Sequence, residues 1–212
     1  AEENTRASIF DNMKAKETYG TSGTLIRLRF FGAWDYDDDL VEDDDFVEEA
    51  YQGGVPMGGD LPARPDRAGA PTFAVWAMKD PESGNLDRIQ IIKVWLDERL
   101  GRSVEKIYNV ALSDDRTVDA DGNAPPVGNT VDLKTANYTN DIGDTQLSAV
   151  WTDPDFNAER HAAYYVRVLE IPTPRWSTYD SVRNNLPISD VVPPTIQERA
   201  WSSPIWYTPA GN

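Results

Sequence analysis

Apolar and polar positions alternate most regularly between residues 161 and 176, HAAYYVRVLEIPTPRW. Ala162, Tyr164, Val166, Val168 and Glu170 share one parity, and Ala163, Tyr165, Arg167, Leu169 and Ile171 the other. Strand side chains alternate with period two, and here both parities are dominated by apolar or aromatic residues. The stretch therefore predicts a central strand covered on both faces, leading into a turn stiffened by Pro172 and Pro174.

The same reading predicts strands over residues 24–34, 72–78, 87–96, 104–112, 127–133, 146–151 and 200–207, separated by Gly, Pro, Asn and Asp clusters. The turn at 80–85 predicts that 72–78 and 87–96 form a hairpin, with Trp76 and Trp95 as packing residues. Helical spacing appears three times. Residues 4–16 place Ile9, Phe10 and Met13 on one face behind Asn4 or Thr5 as a cap. Residues 35–52 bring Phe46, Val47, Ala50 and Tyr51 together before Gly53 and Gly54, and 177–184 begin with Ser177 and Asp180 in a capping-box-like pair. Residues 53–71 are too rich in Gly and Pro for either element, so 35–71 reads as an acidic, Gly/Pro-rich insertion. The expected fold is mainly β: an immunoglobulin-like β-sandwich with an N-terminal helix and one or two short inserted helices. In that frame Ala162-x-Tyr164-x-Val166 is similar to the sixth strand of such a sandwich, with Tyr164 at the place of the tyrosine corner.

Charge changes the picture at one place. The chain of 212 residues carries a formal charge of −16, and ten of its 36 acidic residues, with no basic one, lie between Asp35 and Glu49. Such a field repels phosphate backbones and anionic membrane surfaces, which argues against a nucleic-acid partner. No stretch approaches the roughly 18 apolar residues of a membrane span. As a calcium loop the acidic run fails, because its sixth position is Leu40 rather than Gly and its twelfth is Phe46 rather than Glu; a solvated, charge-rich insertion is the expectation.

The inventory for catalysis is thin. Without cysteine there is neither a disulfide nor a thiolate ligand, and His161 is the single histidine. A strand-end histidine with no nucleophile elbow in the sequence reads as structural or surface, not as part of a triad. Paired carboxylates for glycoside hydrolysis carry no information among 36. Arg88, Lys93 and Arg167 interrupt apolar strands and should be paired or emerge at solvent. Arg6 and Arg175 lie at element edges, where a guanidinium can reach into a cleft. Seven Trp supply core, or, if several stand exposed in one plane, a platform for carbohydrate or a protein partner.

Taken in order, GVPMGGDLP, DRIQIIKVWLD, VEKIYNVALS, VWTDPDF, YYVRVLEIPTPRW and IQERAWSSPIWYTP resemble the C-terminal part of a bacterial family catalogued as domain of unknown function 3604, placed in the PHP (polymerase and histidinol phosphatase) superfamily of metal-dependent hydrolases. The resemblance implies a C-terminal fragment. Residues 1–23 would be the tail of a PHP-type hydrolase domain, and 24–212 an accessory sandwich packed on a catalytic barrel held by another domain or chain. It implies divalent metal ions such as Zn or Mn in the intact protein and none in this chain, where no His-x-His motif occurs. It further implies a small phosphoester substrate, hydrolysed by metal-activated water, and a periplasmic or secreted location. Arg6, Thr21 and Ser22 fall on barrel-derived motifs and could approach the metal centre; Arg175 and Trp176 could cap the substrate cleft. None is expected to be catalytic. The alternative is a free-standing sandwich that binds carbohydrate or a protein through exposed Trp.

Overall fold

A computed structural model describes residues 1–97 and 99–210. The chain opens with α1 (Arg6–Lys14) and a short strand β1 (Tyr19–Thr21), followed by β2 (Arg27–Ala33). A 3-10 turn at Leu40–Glu42 precedes α2 (Phe46–Gly53), β3 (Val55–Pro56) and β4 (Thr72–Met78). Then come β5 (Leu86–Asp97), β6 (Arg102–Leu112), β7 (Gln146–Thr152) and β8 (Ala162–Glu170). The last part holds β9 (Thr173–Pro174), α3 (Trp176–Arg183), β10 (Thr195–Ile196), β11 (Arg199–Ser202) and β12 (Ile205–Tyr207).

These strands form two antiparallel sheets face to face. One runs β1-β11-β8-β5-β6, with β12 also paired to β8; the other runs β3-β2-β4-β7; β9 and β10 make a separate ribbon. The mainly β sandwich expected from the sequence is the observed architecture, and β8 is a central strand. Its Tyr164, Val166 and Val168 meet Ile26, Leu28, Phe30, Phe73 and Val75 of the opposing layer in one core. Phe73 sits at its middle, fully buried, with ring centroids 5.6 Å from Phe30, 6.0 Å from Trp151 and 4.4 Å from Tyr164. Each such aromatic pair adds about 0.5–1.5 kcal/mol beyond simple burial.

The acidic insertion explains itself by parity. Phe31 and Ala74 point away from the main core and are covered by Leu40, Phe46 and Ala50. α2 thus lays its apolar stripe on the outer face of the second sheet and leaves its acids in water. Glu49 is held above the ordinary carboxyl range chiefly by the negative charge of Asp45.

Four expectations are corrected. β4 and β5 are not a hairpin: β4 is occupied on its two edges by β2 and β7, and β5 by β6 and β8, so residues 79–85 cross between sheets. The true hairpin is β5–β6. Residues 127–133 form no strand; Asn129 and Asp132 accept hydrogen bonds from the backbone two residues on, and Thr130 bonds to Thr139, so side chains satisfy the loop locally. The closing strand breaks at Ser203-Pro204 into β11 and β12, because proline has no N–H to give the ladder. Finally, α3 begins at Trp176 with Arg175 at the cap position, its side chain not capping the helix, so Ser177 and Asp180 lie inside the helix.

The strand-borne cations are paired, as their settings required. Asp87, buried at a bulge in the β5–β8 ladder, receives Arg116 at 2.6 Å, Arg88 at 2.9 Å and the Gln197 amide at 2.9 Å. Arg167 donates to Gln90 Oε1 at 2.8 Å. Lys93 Nζ lies 2.5 Å from Asp153 Oδ2, with both side chains buried. Tyr164 donates to the same oxygen at 2.7 Å. It does not bond backbone as a tyrosine corner does, and its tether joins β8 to the turn after β7.

Candidate functional site

The antiparallel register places several sequence-derived candidates at the end of the first sheet where β8 terminates. Thr21 pairs with Ala200, the Ser22 amide donates to the Arg199 carbonyl at 2.9 Å, and Arg199 pairs with Leu169 one residue before Glu170. Ser22 Oγ accepts from the Arg199 amide at 2.9 Å and donates to the Glu198 carboxylate. Thr21 also lines an open depression of about 800 Å³ with Tyr19, Leu25, Arg27 and Asp80. Asp80 there accepts the amides of Glu82 and Leu25, which lower its pKa.

Beyond Glu170 the chain turns through β9, and Arg175 is fixed twice to the strand-like linker opposite. Its amide donates to Pro194 at 2.9 Å and its Nε to Pro193 at 3.0 Å; Thr178 Oγ1 adds a bond to Pro194 at 2.7 Å. The guanidinium therefore braces the turn. Trp176 beside it is 72% exposed. Of the seven Trp, Trp176 and Trp201 are exposed and Trp34 is buried. Arg6 stands apart from this group, at the first position of α1, whose Ala7, Ser8, Asp11 and Asn12 border a groove with Arg29, Val47 and Tyr51.

Between the two halves of this end lies a buried carboxyl that the sequence reading did not single out. Glu170 has no exposed surface, and Ser83 Oγ donates to it at 2.5 Å. Its second oxygen, Oε1, and the Thr24 hydroxyl are both buried and make no hydrogen bond of ordinary geometry, though the hydroxyl lies close enough to favour the carboxylate. Burial pushes its pKa up to about 7; the Ser83 and Thr24 hydroxyls hold it down, and the charges of Glu198 and Asp80 raise it further. A carboxyl so enclosed can hold a proton near neutrality but cannot touch a substrate. The signal was legible: Glu170 shares the core parity of Tyr164, Val166 and Val168.

No element of this end carries a metal-binding constellation. Among the described residues, no three His, Cys, Asp or Glu side chains are grouped to hold an ion. His161 lies at the far end of β8, bordering a cleft with Asp97 and Glu159.

Residues 1–209 match the family described as Protein of unknown function (DUF3604). The chain belongs to that family. No curated protein and no solved structure matches it. The DUF3604 match spans α1 and β1 as well as the sandwich, so the helix and the turn at 172–176 both lie within the region that defines the family. Among the described residues no helix is long and apolar enough to cross a membrane.

Proposed function

We propose that this DUF3604 chain is the accessory portion of a metal-dependent hydrolase of the PHP type, acting on small phosphoesters in the periplasm or outside the cell, and that it docks on the catalytic domain through α1. The supporting observation is the state of that helix. Thr5 caps it, accepting the Ser8 amide, yet none of its nine residues is buried. Ile9 is 42%, Phe10 62% and Met13 63% exposed. A helix this short is marginal in water unless an amphipathic face is packed, and this face is unpacked within the chain.

The turn that follows is firmly seated. Ser203 donates to the Thr18 carbonyl at 3.0 Å, Lys16 Nζ stands 4.6 Å above the Trp206 ring, and Tyr51 donates to Glu17. Gly58 makes this possible: a Cβ there would lie 2.4 Å from the Lys16 carbonyl, and its φ of 92° suits only glycine well. The helix is thus presented from a fixed base, beside β1, an edge strand with its outer side unpaired. An apolar helix face next to an open edge suits a folded neighbour that continues both layers. In this reading the divalent ions and the attacking water belong to the catalytic partner, while Thr21, Ser22, Arg175 and Trp176 border its mouth.

Two measurements test it together. Joined to its catalytic partner, the chain is expected to support chelator-sensitive hydrolysis of bis(p-nitrophenyl) phosphate with Mn²⁺ or Zn²⁺, and alone to show none. Phe10→Asp combined with Met13→Asp should change the stability of the isolated chain by less than about 0.5 kcal/mol, since both side chains are exposed, and weaken association at least tenfold. Chelator-sensitive turnover by the pure 212-residue chain, or association indifferent to the double substitution, overturns the proposal.

A further inference from the structure

In a chain of net charge −16, three cations converge on one cavity at the end of the first sheet opposite the β8 exit. It encloses about 300 Å³ and is lined by Lys93, Lys106, Arg160, Trp95 and Tyr164, with Asp155 and Asn157 at its side. The nine residues of β8 separate it from Glu170 by about 26 Å at the rise of an extended strand.

Much of this charge is structural, and the remainder is what carries the inference. Lys93 Nζ spends one N–H on Asp153 at 2.5 Å and a second on the Asp155 carbonyl at 2.8 Å, leaving the third of its three donors. Lys106 is paired with Asp155, whose Oδ2 also accepts Tyr108 at 2.7 Å; these bonds lower the Asp155 pKa and keep the carboxylate engaged. Arg160 has no salt bridge among the described residues, its near acid being Glu159 in the adjoining cleft. Trp95 lines the cavity with its ring, while its Nε1 is itself buried, so the indole offers a ligand a stacking surface and not a donor.

The unspent donors are a Lys93 N–H and the Arg160 guanidinium, with the mutually paired Lys106 and Asp155 at the wall. Since Asp153 and Asp155 match the two lysines, Arg160 leaves this aromatic-lined cavity one positive charge in excess, which selects a ligand rich in acceptors and negatively charged. We propose that this cavity binds a small organic anion of single-ring size, its carboxylate or phosphate seated between Arg160 and Lys93 and its ring against Trp95. The Lys93–Asp153 pair fixes the floor; Arg160 and Lys106, both near solvent, set selectivity. The site is independent of the α1 interface and of the hydrolase reading.

Calorimetric titration of the 212-residue chain with glucuronate, glucose 6-phosphate and neutral glucose tests it. At least one of the two anions is expected to bind while glucose does not, and which anion binds distinguishes carboxylate from phosphate. Arg160→Gln with Lys106→Gln should weaken that binding at least tenfold without changing the thermal transition appreciably. Failure of both anions to bind at millimolar concentration, equal binding of glucose, or affinity unchanged in the Arg160/Lys106 variant refutes the site.

Discussion

Asp153→Ala is expected to lower the free energy of unfolding by about 3–5 kcal/mol, the usual cost of leaving one member of a buried ion pair without its partner. Asp153 is 2% exposed and its carboxylate accepts three bonds: Lys93 Nζ at 2.5 Å, the Tyr164 hydroxyl at 2.7 Å and the Asp155 amide at 2.9 Å. Its removal strands an ammonium that is 5% exposed and a phenol with no exposed surface. Burial, and then the Asp153 charge, already raise the Tyr164 pKa steeply, so the hydroxyl stays a donor and needs an acceptor. Desolvation, not attraction, dominates the loss. The double variant Lys93→Met, Asp153→Leu should therefore be less destabilised than Asp153→Ala alone, because no uncompensated charge remains. Equilibrium urea denaturation reads both. A loss below about 1 kcal/mol for Asp153→Ala would mean that the pair contributes no more than an exposed one and does not fix the cavity floor.

How far the chain could be read in advance depended on whether a signal was local. β8 was legible as a central strand from its apolar and aromatic residues, although only the parity of Tyr164, Val166 and Val168 is buried and the other, expected to be covered as well, is half-buried; α2 was legible because Phe46 and Ala50 recur at helical spacing within an acidic run. The crossover between β4 and β5 was not. A short turn between two apolar runs looks alike whether the second strand pairs with the first or with the opposite layer; the choice is made by β2 and β7, distant in sequence, filling both edges of β4. Residues 127–133 misled for the converse reason, since Val127, Val131 and Leu133 suggested alternation while Asn129 and Asp132 claimed the backbone for turns. Of the candidate residues, Thr21 and Ser22 pair with or bond to β11 on the sheet end where the 172–176 turn emerges. Arg6 stands on the outlying helix. The Lys93–Asp153–Tyr164 cluster escaped because its members lie on β5, a turn and β8, and only antiparallel registration brings them together. A lysine at a core parity was the available trace of it.

Glu170→Gln should stabilise the protein at alkaline pH and abolish a pH dependence that the native chain shows. Glu170 titrates at about 7 when folded against an ordinary 4.5, chiefly because burial disfavours its anion. The folded state thus holds this proton more tightly than the unfolded state does. Between pH 4.5 and 7 the native form keeps the proton while the unfolded form has lost it, so stability falls as pH rises through this window. The group's contribution is complete below pH 4.5 and lost above 7, and the gap corresponds to about 3 kcal/mol. Glutamine is neutral at every pH and its amide can face Ser83 or Thr24, so the variant should match the native chain near pH 4.5 and exceed it by about 2–3 kcal/mol at pH 8. Subtracting the two stability curves cancels carboxyls shifted the other way, among them Asp155, Asp119 and Asp132, whose lowered pKa values give a stabilising contribution that is lost in acid. Asp80 and Glu198 do not cancel fully, because their charges act on Glu170 itself; Asp80→Asn should lower its pKa and shift the falling limb to lower pH. A difference between native and Glu170→Gln chains that stays constant from pH 4.5 to 8 would show that the carboxyl is solvated. The end of β8 would then be open to water, and the dry contact between Glu170, Ser83 and Thr24 could not be what holds the β8 exit against residues 22–24.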